Sequence, residues 1–449
     1  MGRKIGPWLL ARGPWLEELG GLILGFGLLA VGMTYPLVSH LREAVPGPPW
    51  DNLVWLYDLW WTRHTVFQGG GTPLFNPGLF APFGYDVTLS ETMLANKLLV
   101  APVLALAGPV VAYNTLLLGS FVLTGLGTYL LVRELTGSRA AGFVSGVILA
   151  FAPYRMHAMA AGWLPLISTQ WLPLLFWSLE RGVRRGSRRW FVLGGVLLAA
   201  NVLSSWYYAY VVGPFALLYG LLRLKPWQSR QAARETAVSL LLLVAVAGAL
   251  VAPVAIPVLR GASGEMAWPL AEVEKWSASV EDFLLPEIYH PLWGRLVLAA
   301  RRQVPSYPWY APGVVGLGLV PLGLAALAAW RRRRQPVVRA FLVCAGLSFI
   351  LALGVTLHWG GERVYLPVPA AVEQLFARGM RVLMERLALN RAPYAVLRRP
   401  GAVPVPLPGL LVYLYLPFAT ALRTMYRFGL ITVFSVAVLA GYGVGVLES

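Results

Sequence analysis

Little in this sequence suits a water-soluble protein. Of 449 residues only 13% are charged, and just four are aspartate: Asp51, Asp58, Asp86 and Asp282. The single cysteine, Cys344, lies inside an apolar run, which excludes internal disulfides and a cysteine-rich metal site. There is no Walker-type glycine–lysine loop and no glycine-rich strand–turn–helix pattern, so direct use of ATP is not expected. No internal repeat is visible either, so the inverted-repeat signature of many secondary transporters is missing.

What is abundant is apolar. Hydrophobic residues make up 57% of the chain, and the mean hydropathy is +0.64. That places it among polytopic, all-α membrane proteins. Apolar runs lie near 19–39, 110–132, 139–153, 164–180, 189–203, 205–222, 235–258, 309–330, 338–357 and 427–446. The first follows basic residues and has no small-residue cleavage site after it, as a retained signal anchor would. Two further stretches, 94–107 and the proline-rich 404–417, are short for a span.

The net charge of +17 is concentrated at 181–189 (RGVRRGSRR), 223–234 (RLKPWQSRQAAR) and 331–334 (RRRR), in gaps between apolar runs. This is the positive-inside pattern, with attraction to anionic lipid as a secondary effect, and it argues against nucleic acid. With these clusters cytoplasmic, ten spans put both ends inside. Residues 42–109, 261–307 and 358–425 then lie outside, and 94–107 is re-entrant or lies along the outer interface. All four aspartates and ten of the sixteen glutamates fall outside on that topology, which makes the external face the expected working face.

The first external loop opens PPWDNLVWLYDLWW. Pro48-Pro49 breaks what precedes, and 50–67 has no internal glycine or proline, so a helix is expected with Asp51 in its first turn. Asp51 and Asp58, seven residues apart, point from nearly one face. The tryptophans around them suit headgroup depth. From spacing alone, a capping Asp51 and a solvated Asp58 remain as good a reading as chemistry. An irregular loop through APFGYD follows, then Asp86, Glu91 and Lys97. Lys97 is placed either to meet a lipid phosphate or to snorkel to the headgroups.

The chain then runs AYNTLLLGSFVLTGLGTYLLVRELTGS, FAPYRMHAMAAGWLPLISTQWLPL, LLPEIYHPLWG and LRTMYRFGL before the last span. In that order, after a first span and a long loop with an early aspartate, these segments resemble the bacterial branch of the GT-C superfamily of integral-membrane glycosyltransferases. The resemblance covers most of 19–446 and rests on the order of short, degenerate motifs. It implies a GT-C-like bundle of about ten to twelve helices in a bacterial inner or plasma membrane. It implies sugar transfer, usually with inversion, from a polyprenyl-phosphate carrier to a glycan, lipid or protein acceptor on the external face. Asp51 occupies the place of the catalytic carboxylate, a general base that takes the acceptor's proton. Lys97 matches a carrier-phosphate residue of some relatives, with Arg155 a second cation near the leaving group.

Substrate-binding candidates are therefore Lys97, Arg155, His157, Asp58, Asp86, Glu91 and His290. The segment 261–294 is expected to cap the site, and 373–399 reads as an outer interfacial helix. No D-x-D pattern follows Asp51, since Asn52 is next. No metal or other cofactor is expected to be required, with Asp86 and Glu91 the residues that would argue otherwise. The sequence also stops soon after its last span, where many relatives continue. A compact member and a missing part of the acceptor site are both consistent with that. Two rival functions remain: a flippase or transporter for a lipid-linked saccharide, and a non-catalytic assembly subunit. The transporter would call for charges deep in the spans, where few occur.

Overall fold

The computed structural model describes residues 13–261, 267–288, 290, 292–302 and 315–449. The basic extreme N-terminus, part of the expected 261–307 lid and the start of the 309–330 run lie outside the described residues.

The chain is an integral membrane protein built almost wholly of helices. The principal ones are α1 (Gly13–Met33), α2 (Asp51–Thr62), α3 (Leu94–Ala107), α4 (Pro109–Thr136), α5 (Arg139–Ala150), α6 (Pro153–Ala160), α7 (Trp171–Arg185), α8 (Arg189–Ser204), α9 (Gly213–Leu224), α10 (Arg230–Gly261), α11 (Leu319–Arg332), α12 (Pro336–Ala352), α13 (Ala370–Arg381) and α14 (Gly429–Leu447). Among the described residues, five helical stretches are long and apolar enough to cross a membrane: Trp15–Met33, Pro109–Thr136, Tyr207–Gln228, Arg230–Leu259 and Met425–Leu447. The apolar helices α3, α8 and α12 are shorter.

Proline explains why two expected runs are broken. The 139–153 run ends as α5 at Ala150, and Pro153 starts α6 as a separate helix. The 164–180 run is a single turn, Leu164–Ile167, then a break before α7. A proline at the first position of a helix is favoured, and within a continuing one it removes a hydrogen bond.

The last helix is the centre of the bundle. Its residues from Gly429 to Gly443 are buried without interruption, as expected of a helix apolar on every side. It packs against α5, α11, α12 and α4. Close approach depends on small residues: a Cβ at Gly443 would sit 2.2 Å from the Leu324 carbonyl oxygen, and one at Gly441 2.3 Å from Ser145 Oγ. Lipid tails offer no hydrophobic drive to helix association, so such backbone proximity supplies dispersion contact instead.

Ion pairs define one end of the bundle. Glu18 pairs with Arg133 and Arg139, Glu134 with Arg181, and Glu180 with Arg184 and Arg223. The start of α1 and the ends of α4, α7 and α9 therefore meet there. The loop between α1 and α3 folds over the opposite end. It contains α2, the two-stranded pair β1 (Phe75–Asn76) and β2 (Tyr85–Asp86), and the turn leading into α3. Among the described residues two more short strand pairs lie between α12 and α14; the longer joins Tyr365–Pro367 to Ala402–Pro404.

Candidate active site

Asp51 opens α2, in the first turn where the helix dipole favours an anion. Its side chain is exposed. Among the described residues no hydrogen bond or ion pair holds the carboxylate, although Tyr113 lies close enough to feel its charge.

The backbone beneath it is held firmly. Asn52 Nδ2 donates to the carbonyl oxygens of Pro46 and Gly47, both at 3.1 Å. Asn114, in the first turns of α4, donates to Leu41 O at 3.0 Å and Ala44 O at 2.8 Å. Two glycines in left-handed conformations let the loops touch. A Cβ on Gly47 (φ +101°) would meet Gly162 Cα at 2.9 Å, and one on Gly162 (φ +74°) would meet Asn52 Cβ at 2.6 Å. The Tyr-Asn of AYNT and the Ala-Gly-Trp after α6 are thus the seat on which Asp51 rests. The result is a free carboxylate on a fixed base, the arrangement a general base requires.

Asp58 is neither free nor solvated. It is 9% exposed, and its Oδ1 accepts from Lys97 Nζ at 2.8 Å, with Lys97 itself 6% exposed. Oδ2 is buried with no hydrogen-bond partner. Burial raises the Asp58 carboxyl above the usual aspartate range, and the Lys97 charge and hydrogen bond work against that rise. The two residues are brought together across 39 positions, and Lys97 is committed to Asp58.

Arg155 is fully buried. It donates to Ala150 O at 2.6 Å, Ser120 Oγ at 2.7 Å and Ile167 O at 3.0 Å, and it stacks 4.5 Å from the Phe121 ring centre. The polar chain continues from Ser120 to Gln170, Asn96 and Ser204, tying α3, α4 and α8 together. His157 Nδ1 and Glu287 Oε1, both buried, are 2.8 Å apart, which joins α6 to the later external segment. Asp86 caps its own turn, accepting from Thr88 N at 2.9 Å and Thr88 Oγ1 at 2.6 Å. His290 is exposed, and its Nδ1 accepts from the backbone N–H groups of Leu292 and Trp293.

Glu91 leads to a residue that sequence reasoning did not single out. Its carboxylate accepts from Ser205 Oγ at 2.7 Å and Trp206 N at 2.9 Å. Burial raises its pKa, offset by those two bonds and by the charge of Arg427. Arg427 belongs to the Met425–Phe428 turn ahead of α14 and stacks on Tyr207, 3.5 Å from the ring centre. Its Nε and Nη1 are buried with no hydrogen-bond partner. Two nitrogens of a cation are therefore buried without an acceptor, an arrangement that is costly unless something else supplies one. The visible signal was the arginine of MYRF just before a span. Tyr154, at the start of α6, faces Arg427, while Ala161-Gly162 beyond its other end meets the Asp51 seat. An eight-residue helix, about 12 Å long, separates the two features. Among the described residues no group of three or more His, Cys, Asp or Glu could hold a metal ion.

The chain belongs to the family whose model it matches over more than half its length. That family is described as a domain of unknown function (DUF6311), and its model matches residues 72–378. No curated protein matches the chain. Among solved structures it is similar to the archaeal oligosaccharyltransferase AglB from Archaeoglobus fulgidus, solved in complex with an inhibitory peptide and a dolichol-phosphate, at 13% identity and a TM-score of 0.49. The match covers 96% of this chain and 51% of that one, so this chain spans about half the length of that structure.

Proposed function

We propose that this protein is a membrane glycosyltransferase that moves a sugar from a polyprenyl-phosphate carrier to an acceptor hydroxyl at the outer face of the membrane. The observation that carries the reading is Asp51: an exposed carboxylate without a protein partner among the described residues, clamped from below by Asn52, Asn114 and Gly162. The basic ends of the helices gather at the opposite end of the bundle, which favours an external site by the positive-inside rule.

In this mechanism the acceptor oxygen attacks the anomeric carbon and forms the new glycosidic bond. Its proton passes to Asp51. The bond from the anomeric carbon to the carrier's phosphate oxygen breaks, and its electron pair leaves with the phosphate. One base suffices for inversion because the lipid phosphate is already a good leaving group. The free Arg427 N–H groups are the donors best suited to the charge that develops on it. Asp58 and Lys97 form a neutral pair beneath α2 that orients the helix, and Arg155 supports α6. No metal enters this scheme.

The test is transfer by purified protein in nanodiscs, with a panel of polyprenyl-phosphate sugars, comparing wild type with Asp51→Asn. Loss of on the order of 10²–10⁴ in turnover with carrier binding retained is expected. Full turnover in Asp51→Asn overturns the assignment of the base. Passage of the lipid-linked sugar across liposomes without transfer by wild type overturns the enzyme reading.

A further inference from the structure

Residues 65–85, TVFQGGGTPLFNPGLFAPFGY, contain no Asp, Glu, Lys, Arg or His. A loop of that length facing water would ordinarily carry charge. The segment folds into a small hairpin, with Phe75 opposite Asp86 and Asn76 opposite Tyr85. The turn at its tip is closed by Phe83 N donating to Phe80 O at 3.0 Å. Phe80 and Phe83 project from that tip and are 72% and 87% exposed.

The neighbouring helix shows the same inversion. Along α2 the buried residues are the polar Asn52, Asp58 and Thr62 together with Leu59 and Trp61. The outward ones, Leu53, Val54, Tyr57 and Trp60, are all exposed, as is Trp50 just before the helix. Their spacing of three and four residues puts them on one face. Apart from Asp51 every exposed residue of the helix is apolar or aromatic, while three polar side chains are turned inward, which is not the pattern of a helix facing water. It is what a surface against hydrocarbon looks like. Tyr57 joins the two elements, since its hydroxyl accepts from Asn76 Nδ2 at 2.9 Å. The apolar face of α2 and the hairpin are thereby tied together.

We propose that the 72–86 hairpin is a membrane wedge, with Phe80 and Phe83 embedded in the leaflet on which α2 lies. The occupant of this surface is the bilayer itself. Residues 65–85 carry no charge with which to hold an electrostatic partner, and the exposed side chains of α2 beside them are apolar or aromatic apart from Asp51. Through the Asn76–Tyr57 bond the wedge fixes the height of α2, and so of Asp51 and Asp58, relative to the headgroups. The inference does not depend on the chemistry at Asp51.

The test uses full-length protein in phosphatidylcholine nanodiscs, with an environment-sensitive fluorophore on Phe83→Cys in a Cys344→Ala background. Both substitutions are expected to fold, since Phe83 makes little protein contact and Cys344 is a small buried side chain. A label on Arg334→Cys, at the charged end, serves as control. Quenching by shallow doxyl-labelled lipid should exceed quenching by aqueous iodide about threefold or more at position 83, and the order should reverse at 334. A second measurement follows a label at Val54→Cys on α2. Adding Phe80→Ser and Phe83→Ser together should lower its lipid quenching about twofold. Stronger quenching by iodide at position 83 overturns the proposal. Protection from both quenchers there also overturns it, because the tip would then lie against protein, in a second copy or another partner. Unchanged quenching at position 54 in the double variant overturns the positioning role.

Discussion

The Asp58–Lys97 pair offers a test of how the first external loop is held. At an effective dielectric of about 20, unit charges 2.8 Å apart attract by about 6 kcal/mol. Taking two such groups out of water costs a similar amount, so the intact pair contributes little net stability. Breaking it is another matter. Asp58→Ala leaves an ammonium 6% exposed with its partner gone, which should cost about 3–5 kcal/mol. Asp58→Leu combined with Lys97→Met removes both charges and should fall within about 1 kcal/mol of wild type. The coupling energy from the full cycle of Asp58→Leu and Lys97→Met, read from unfolding in mixed micelles titrated with SDS, should then be about 3 kcal/mol or more.

Lys97→Met adds a pH signature. Burial raises the Asp58 carboxyl and Lys97 lowers it, so without Lys97 the carboxyl binds its proton still more tightly. A carboxyl whose folded pKa lies above its unfolded value favours the native state at low pH. That contribution is lost as pH rises through the folded pKa. The deficit of Lys97→Met should therefore shrink as pH falls from about 8 to about 5, while that of Asp58→Ala, which has no carboxyl to take up a proton, should not. Additive single-mutant costs, or an Asp58→Ala loss under about 1 kcal/mol, refute the reasoning.

Two further outcomes bear on the seat and the cation. Gly162→Ala puts a Cβ 2.6 Å from Asn52 Cβ at φ +74°. The shift of α2 should lower turnover on the order of 10²-fold with carrier affinity little changed, as measured by steady-state kinetics and binding. Arg427→Gln removes two donors to a charged oxygen and should weaken binding of the polyprenyl-phosphate donor about 10- to 100-fold in a nanodisc binding assay, with Arg427→Lys recovering part of it. Unaltered donor affinity in both variants would remove Arg427 from the site.

Much of this protein is written in local sequence. Hydropathy determined the helical, membrane-embedded architecture. Pro48-Pro49 and the run that follows determined a helix with Asp51 in its first turn, because chain breakers and the helix dipole act within a few residues. Two of the arginine clusters, 181–189 and 223–234, meet at one end of the bundle through Glu134 and Glu180. Spacing also put Asp51 and Asp58 on similar helical bearings, but it said nothing of what each would meet. Only the tertiary structure separated them, leaving one exposed and burying the other against Lys97. Arg155 became a buried strut through partners on α4, α5 and the turn before α7, none of which its own neighbourhood foretells. Arg427 acquired its place beside Glu91 across most of the chain. A residue's type and helical phase are local properties; its solvation and its charge partners are set by which distant segments pack against it.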